Sequence, residues 1–138
     1  MIWEIEKAVG DNLDVASVKN RLSIKWGSIV PIFPDVPQRQ AEDDAYFPFL
    51  TIGEVTASGY NDKDIIGANA LVQVDVWTRE RGFKQCKLAA QACIDVLARQ
   101  PLAVDGHIIT ELESEDYVRD PDGKTKHGIL RFRVVVLE

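Results

Sequence analysis

The tetrapeptide Asp120-Pro121-Asp122-Gly123 separates two segments that each alternate apolar and polar residues, and this restricts the C-terminal part of the chain to one kind of structure. Proline presets φ and glycine tolerates positive φ, so these residues reverse the chain. The flanking segments, 107–118 and 126–137, are then expected to pair as an antiparallel hairpin. With Asp122 at the centre, Glu113 faces Arg131 and Glu111 faces Arg133 on one side. On the other, Leu112 faces Phe132, Thr110 faces Val134 and Ile108 faces Val136. A slip of one residue would set glutamates against apolar side chains, so this register is predicted. Each exposed ion pair contributes only about 0.2–1 kcal/mol, and the apolar side therefore sets the register.

The same reasoning extends upstream. Val72, Val74 and Val76 alternate with Gln73 and Asp75, which predicts a strand over 68–77 with one covered face. Residues 47–56 form a second strand. Between them, 57–67 carries Gly59, Asn61, Asp62 and Asp64 and then Ile65 and Ile66, and is predicted to be a mobile loop projecting from the sheet. Residues 83–99 read as a helix with Cys86, Ala89, Ala90, Cys93, Val96 and Leu97 on its apolar stripe and Pro101 beyond its end.

The N-terminal part is less regular. Residues 2–24 read as helical, with Val15, Val18 and Leu22 at helical spacing, Asn12 or Asp14 as a cap, and a break at Gly10 and Asp11. Pro31, Pro34 and Pro37 then block continuous helix or interior strand. Ile29, Val30, Ile32 and Phe33 are left as a short strand at a sheet edge. The acidic run Glu42, Asp43, Asp44 belongs to an extended surface loop. Trp3 and Trp26 are expected to anchor the helical region to the core. Trp77 is expected on the face opposite the valines, capping the sheet or filling a subunit interface.

The fold class that follows is α+β: a mixed or antiparallel four-stranded sheet with helices packed on one face. A chain of 138 residues suits a single domain, 1–138, and should bury roughly 68% of its unfolded surface. It divides into a helical and Pro-rich acidic N-terminal region, 1–46, and a ββαββ core, 47–138.

A net charge of −6 argues against a protein that grips duplex DNA, though it suits one that lets DNA pass. Cys86 and Cys93 lie seven residues apart on one predicted helix, roughly 10 Å along its axis, too far for a disulfide. They read as small buried apolar residues. With no signal peptide evident, they point to a reducing compartment. No apolar run approaches the roughly 20 residues of a membrane span.

No serine sits in a nucleophile elbow, and the two histidines, His107 and His127, lie at strand ends. Asn61, Asp62 and Asp64 lack the rest of a calcium loop. No zinc spacing or phosphate loop occurs. Arg79, Arg81 and Lys84 read as a solvated strand-to-helix corner. No catalytic residue, cofactor or metal is expected.

Several short motifs fall in a set order. They are Phe47-Pro48-Phe49, Gly53-Glu54, Asp75-Val76-Trp77 before the helix, Gly106-His107, and Asp120-Pro121-Asp122-Gly123 leading into His127-Gly128-Ile129-Leu130-Arg131-Phe132-Arg133. In this order and spacing the chain from Phe47 onward resembles the tail terminator, or tail completion, family of long-tailed bacteriophages. The N-terminal third departs from the family pattern in its longer Pro-rich stretch.

The resemblance implies a structural virion protein and not an enzyme. It implies a homo-oligomer, a hexameric ring, that caps the tail tube protein, stops its polymerisation and meets the head–tail connector protein. DNA crosses the lumen without specific binding, and no membrane is involved. Assembly in the host cytoplasm and residence in the virion tail follow. Expected assembly contacts are Asp62, Asp64, Ile65 and Ile66, the run Glu42, Asp43 and Asp44, and Trp77. A head-completion or connector component, a dimeric ferredoxin-like ligand-binding module, and a metal-dependent hydrolase using Asp62 or Asp64 are the competing classes.

Overall fold

The structure is a computed structural model and describes residues 2–21, 32–33, 47–62 and 65–137. Two N-terminal helices, α1 (Ile2–Leu13) and α2 (Ala16–Lys19), precede a two-residue strand, β1 (Ile32–Phe33). Strands β2 (Phe49–Asp62) and β3 (Ile65–Thr78) form a long hairpin. Helix α3 (Lys84–Arg99) then crosses to a second hairpin, β4 (His107–Arg119) and β5 (Lys126–Leu137).

The five strands lie in the order β1-β2-β3-β5-β4. The four long strands are antiparallel to their neighbours, and β1 adds a short parallel pair at the edge of β2. This is the expected four-stranded sheet with one small edge strand added. β1 supplies part of the predicted edge strand, while Ile29 and Val30 lie outside the described residues.

The helices cover one face of the sheet. Cys86, Ala89, Ala90, Cys93, Val96 and Leu97 are the buried residues of α3, the same six that its periodicity selects. They pack with Val72, Val74 and Val76 of β3, with Leu130, Phe132, Val134 and Val136 of β5, and with Ile5, Val9 and Leu13 of α1. Burying each such side chain contributes about 1.5–3 kcal/mol, which is why the alternation of β3 and β5 dictates their orientation. Both thiols are free and buried. Burial pushes Cys86 up to about 11 and Cys93 up to about 12.

Three N-terminal expectations are corrected. The N-terminal break falls at Asp14 and Val15, not at Gly10 and Asp11, because continuing α1 buries Val9 and Leu13 completely. That gain exceeds the roughly 1 kcal/mol cost of a mid-helix glycine. Val15, in extended conformation, is the N-cap residue of α2, and its side chain makes no cap hydrogen bond. Asn12 instead donates to the carbonyl oxygen of Pro101 at 3.1 Å. Trp3 is 68% exposed and anchors nothing in the core, whereas Trp26 lies outside the described residues.

The predicted loop over 57–67 is mostly strand. The ladder runs on through Asn61 opposite Ile66 and Asp62 opposite Ile65. Its Gly, Asn and Asp content suggested a loop, but cross-strand backbone pairing satisfies these residues in extended form. The pairing of β3 with β5 stops at Gly67 and Leu137, so the end of the β2–β3 hairpin extends past β5 as an arm.

In the β4–β5 hairpin, the predicted pairs Glu111–Arg133, Leu112–Phe132 and Thr110–Val134 are present. Irregularities between Leu112 and Ser114 and between His107 and Ile109 shift the ends by one residue. Arg131 therefore faces Ser114 and pairs with Asp116 at 3.6 Å, while Glu113 reaches Arg133 at 3.2 Å. His107, not Ile108, faces Val136, and Ile108 is 57% exposed. Past the bulge of one residue Tyr117 stands opposite Gly128 and packs against the core, while the exposed Glu115 stands opposite the buried Leu130.

Candidate functional site

The face of the sheet away from the helices is not uniformly polar. At its turn end a row of side chains crosses four strands. Phe49 stands opposite Trp77, Trp77 opposite His127, and His127 opposite Val118. In the next row Thr51 stands opposite Asp75 and Asp75 opposite Ile129. Strand alternation places all of these on the face opposite Val72, Val74 and Val76.

These two rows close into a cluster. The His127 ring stacks on Trp77, with centroids 3.8 Å apart and planes 11° apart. His127 Nε2 lies 2.7 Å from Asp75 Oδ1, which also accepts from Gln73 Nε2 at 2.9 Å. Trp77 Nε1 donates to Thr51 Oγ1 at 3.0 Å, satisfying the indole within the half-buried site. Asp75 is 5% exposed, and its oxygens are served from Gln73, His127 and Thr51. A buried carboxylate requires such partners.

A second group adjoins it. Phe47 packs on Phe49 with centroids 4.8 Å apart, and the guanidinium carbon of Arg79 lies 4.0 Å above the Phe47 ring. Arg79 Nε donates to Thr125 Oγ1 at 3.0 Å and its Nη2 lies 3.9 Å from Asp122. Asp122 in turn holds the β4–β5 turn, accepting from the backbone N–H groups of Lys124 and Thr125 and from the Thr125 hydroxyl. These bonds hold its carboxyl down at about 2. Gly123 at φ +77° completes the turn.

Gly53 belongs to the same neighbourhood. It lies in the register shift between Ile52 and Val55, and a Cβ there would stand 3.0 Å from Asp75 Oδ2. Phe47, Phe49, Gly53, Asp75, Trp77, Asp122 and His127 come from separate short motifs along the sequence. They converge on one site, and that convergence is what motif spacing alone leaves hidden.

Of the residues singled out beforehand, Trp77 lies inside this cluster, on the predicted face. Asp62, Ile65 and Ile66 lie at the end of the β2–β3 arm. Asp64, Glu42, Asp43 and Asp44 lie outside the described residues. The arm end and the Trp77 cluster occupy opposite ends of β3, so the structure does not bring them together. Asp75, His127, Thr51 and Arg79 were not expected as site residues. Asp75 and His127 appear in the ordered motifs, and that was the available signal.

The cluster holds together three strands and a turn, but it is not arranged for turnover. The Thr51 hydroxyl serves Trp77 and Asp75, and His127 Nε2 is committed to Asp75. Cys86 packs near Gly128 on the helix side of the sheet. Among the described residues, no group of three or more His, Cys, Asp or Glu side chains is placed to hold a metal ion. No helix there is long and apolar enough to cross a membrane. A cavity of about 620 Å³ is an open groove lined by Glu4, Ala103, Val104, Asp105, Gly106, Val136 and Leu137.

Fold and site together are a sheet with helices on one side and a tightly bonded polar and aromatic cluster on the other. Residues 29–137 match the family described as Tail completion protein gp17, and the chain belongs to that family. It is a family of structural phage tail proteins, not of enzymes. The chain is 24% identical to the tail completion protein gp17 of Bacillus phage SPP1, over 99% of this chain and 98% of that one. Its fold is similar to a chain in the virion of a native gene transfer agent particle, with a TM-score of 0.78 at 21% identity over 97% and 95% of the two chains. It is also similar to the structure of bacteriophage SPP1 gp17, with a TM-score of 0.58 at 21% identity over 96% and 88%. The family match begins ahead of Phe47, so the likeness extends into the N-terminal third.

Proposed function

We propose that this chain forms a ring, a homohexamer, that caps the phage tail tube, ends its polymerisation and joins the tail to the head connector. DNA passes through the lumen without being bound specifically, and the ring is assembled in the bacterial cytoplasm. The family match across 29–137 carries this reading. The architecture supports it: a closed ring needs two different patches on each subunit. The end of the β2–β3 arm and the Trp77 end of the open face are two such patches on one subunit, separated by the length of β3.

The contacts proposed are Asp62, Asp64, Ile65 and Ile66 at the arm, Glu42, Asp43 and Asp44 in the acidic run, and Trp77. Imaging of tagged protein on tails should place it at the head-proximal end of the tube. A distribution along the whole tube would sink the reading. Deleting residues 61–66 should leave thermal unfolding little changed, because the arm extends past the core, yet block completion of tails. Normal tails from that deletion would remove the arm from the contact set.

A further inference from the structure

Aspartate is followed by glycine at two places, Asp105-Gly106 and Asp122-Gly123, and both pairs are exposed to solvent. With no side chain on the glycine, its backbone nitrogen can reach the carboxyl carbon of the preceding aspartate. A new N–Cγ bond then closes a five-membered imide, the C–O bond breaks, and the oxygen leaves as water with the amide proton. Water returns to either ring carbonyl. The product is aspartate again or isoaspartate, whose main chain runs through the side chain. No electrons are exchanged, and water is the only other reactant. The two pairs are alike in sequence, so the fold decides which one reacts.

At Asp122 both reacting groups are occupied. The N–H of Gly123 donates to the Asp120 carbonyl oxygen at 3.0 Å. The Asp122 carboxylate accepts from the backbone N–H groups of Lys124 and Thr125 and from the Thr125 hydroxyl, which keeps it ionised and a poor electrophile. Asp105 differs on both counts. The His107 N–H donates to the Val104 carbonyl oxygen at 3.1 Å, so 104–107 is a turn with Asp105 and Gly106 at its centre, and Gly106 has φ +79°. Among the described residues, neither the Asp105 carboxylate nor the Gly106 N–H has a hydrogen-bond partner. The peptide unit between them can turn over while the bonds on either side hold, because glycine accepts both signs of φ.

We propose that Asp105 is a site of spontaneous isomerisation to isoaspartate in the folded protein, and that the turn at Asp122 protects the second pair until the chain unfolds. This does not depend on the chain's role in the tail. Isoaspartate lengthens the main chain by a methylene beside a tight contact. The Gly106 carbonyl oxygen accepts from the Leu137 N–H at 2.8 Å, and a Cβ on Gly106 would stand 1.7 Å from the Leu137 carbonyl oxygen. A longer main chain displaces one side of this contact, so isomerisation loosens the β4–β5 hairpin at Leu137.

The test ages the full chain in warm neutral buffer, folded or in urea. Trypsin then separates Asp105, in peptide 100–119, from Asp122, in peptide 120–124. Electron-transfer fragmentation distinguishes isoaspartate from aspartate in each. In the folded sample isoaspartate at 105 should exceed that at 122 by about tenfold or more, whereas in urea the two should agree within about threefold. Asp105→Glu, which needs a larger ring, should remove the signal at 105. Amide exchange at Leu137 should be faster in the aged chain than in the fresh one, and unchanged by ageing in Asp105→Glu. Folded samples without isoaspartate at 105, or with as much at 122, overturn the proposal. An excess at 105 that persists undiminished in urea overturns it too, because sequence neighbours and not the fold would then set the rate. Exchange at Leu137 that ageing leaves unchanged overturns the loosening of the hairpin.

Discussion

His127 lies face to face with Trp77 at 3.8 Å while its Nε2 meets Asp75 Oδ1 at 2.7 Å. One imidazole thus ties the start of β5 to two positions on β3. Thr51 extends the tie to β2 through its bonds to Trp77 and Asp75. The helix-covered core does not reach this face, so the cluster supplies the cohesion there.

The Asp75–His127 pair should therefore couple in stability. Asp75→Asn and His127→Gln, singly and combined, should show a coupling of about 1–2 kcal/mol by urea unfolding, because each single change leaves a largely buried partner unmatched. Trp77→Phe keeps a ring but drops the bond to Thr51, and should cost about 1 kcal/mol. Additive single effects at Asp75 and His127 would show that the short contact carries no net energy.

Two glycines should resist alanine for different reasons. At Gly106, φ is +79° and a Cβ would stand 1.7 Å from the carbonyl oxygen of Leu137, whose N–H also bonds Gly106 O. Gly106→Ala should cost about 3 kcal/mol or more, through strain in the backbone itself. At Gly53 the Cβ would meet the Asp75 carboxylate at 3.0 Å, and a cost of about 1–2 kcal/mol is expected. Gly59→Ala, whose nearest neighbour would be 3.8 Å away, should change stability by under about 0.5 kcal/mol. Denaturant midpoints of the three variants give the order directly.

Both cysteines should be silent to thiol reagents in the folded chain. Burial raises Cys86 to about 11 and Cys93 to about 12, so neither forms thiolate near neutral pH. Modification at pH 8 should proceed only at the rate of unfolding and accelerate in urea to release two equivalents. Rapid labelling of either thiol in native buffer would contradict its burial.

The turn should lose its hold in acid. Asp122 sits at about 2 in the folded chain, below its ordinary 3.8, chiefly through bonds from the Thr125 hydroxyl and backbone N–H. A depressed carboxyl stabilises the fold fully above its unfolded value, and that contribution fades as pH falls through the folded one. The stability difference between wild type and Asp122→Asn should therefore be level above about pH 5 and shrink between pH 4 and pH 2. A difference that stays constant down to pH 2 would mean the carboxylate does not hold the turn.

Much of this fold is legible in the residues because local periodicity reports which side of an element is covered. The α3 stripe from Cys86 to Leu97, the Val72-Val74-Val76 alternation and the limits of β5 need only neighbours in sequence. The central register of the β4–β5 hairpin is legible too, since Leu112 and Phe132 must share a face. Local composition misleads where pairing across strands overrides it. Residues 57–62 look like loop until β3 lies beside them, and the bulge between Leu112 and Ser114 is visible only in how β4 pairs with β5. The Asp75–Trp77–His127 cluster, together with Phe47 and Arg79, is decided wholly by tertiary structure. Its members lie up to 80 positions apart, and only the order β2-β3-β5 sets them in adjacent rows. The sequence by itself determines which residues seek burial and where the chain must turn, because those preferences are properties of short segments. Which polar side chains meet depends on strand order and register, and these arise only when the whole sheet closes around its core.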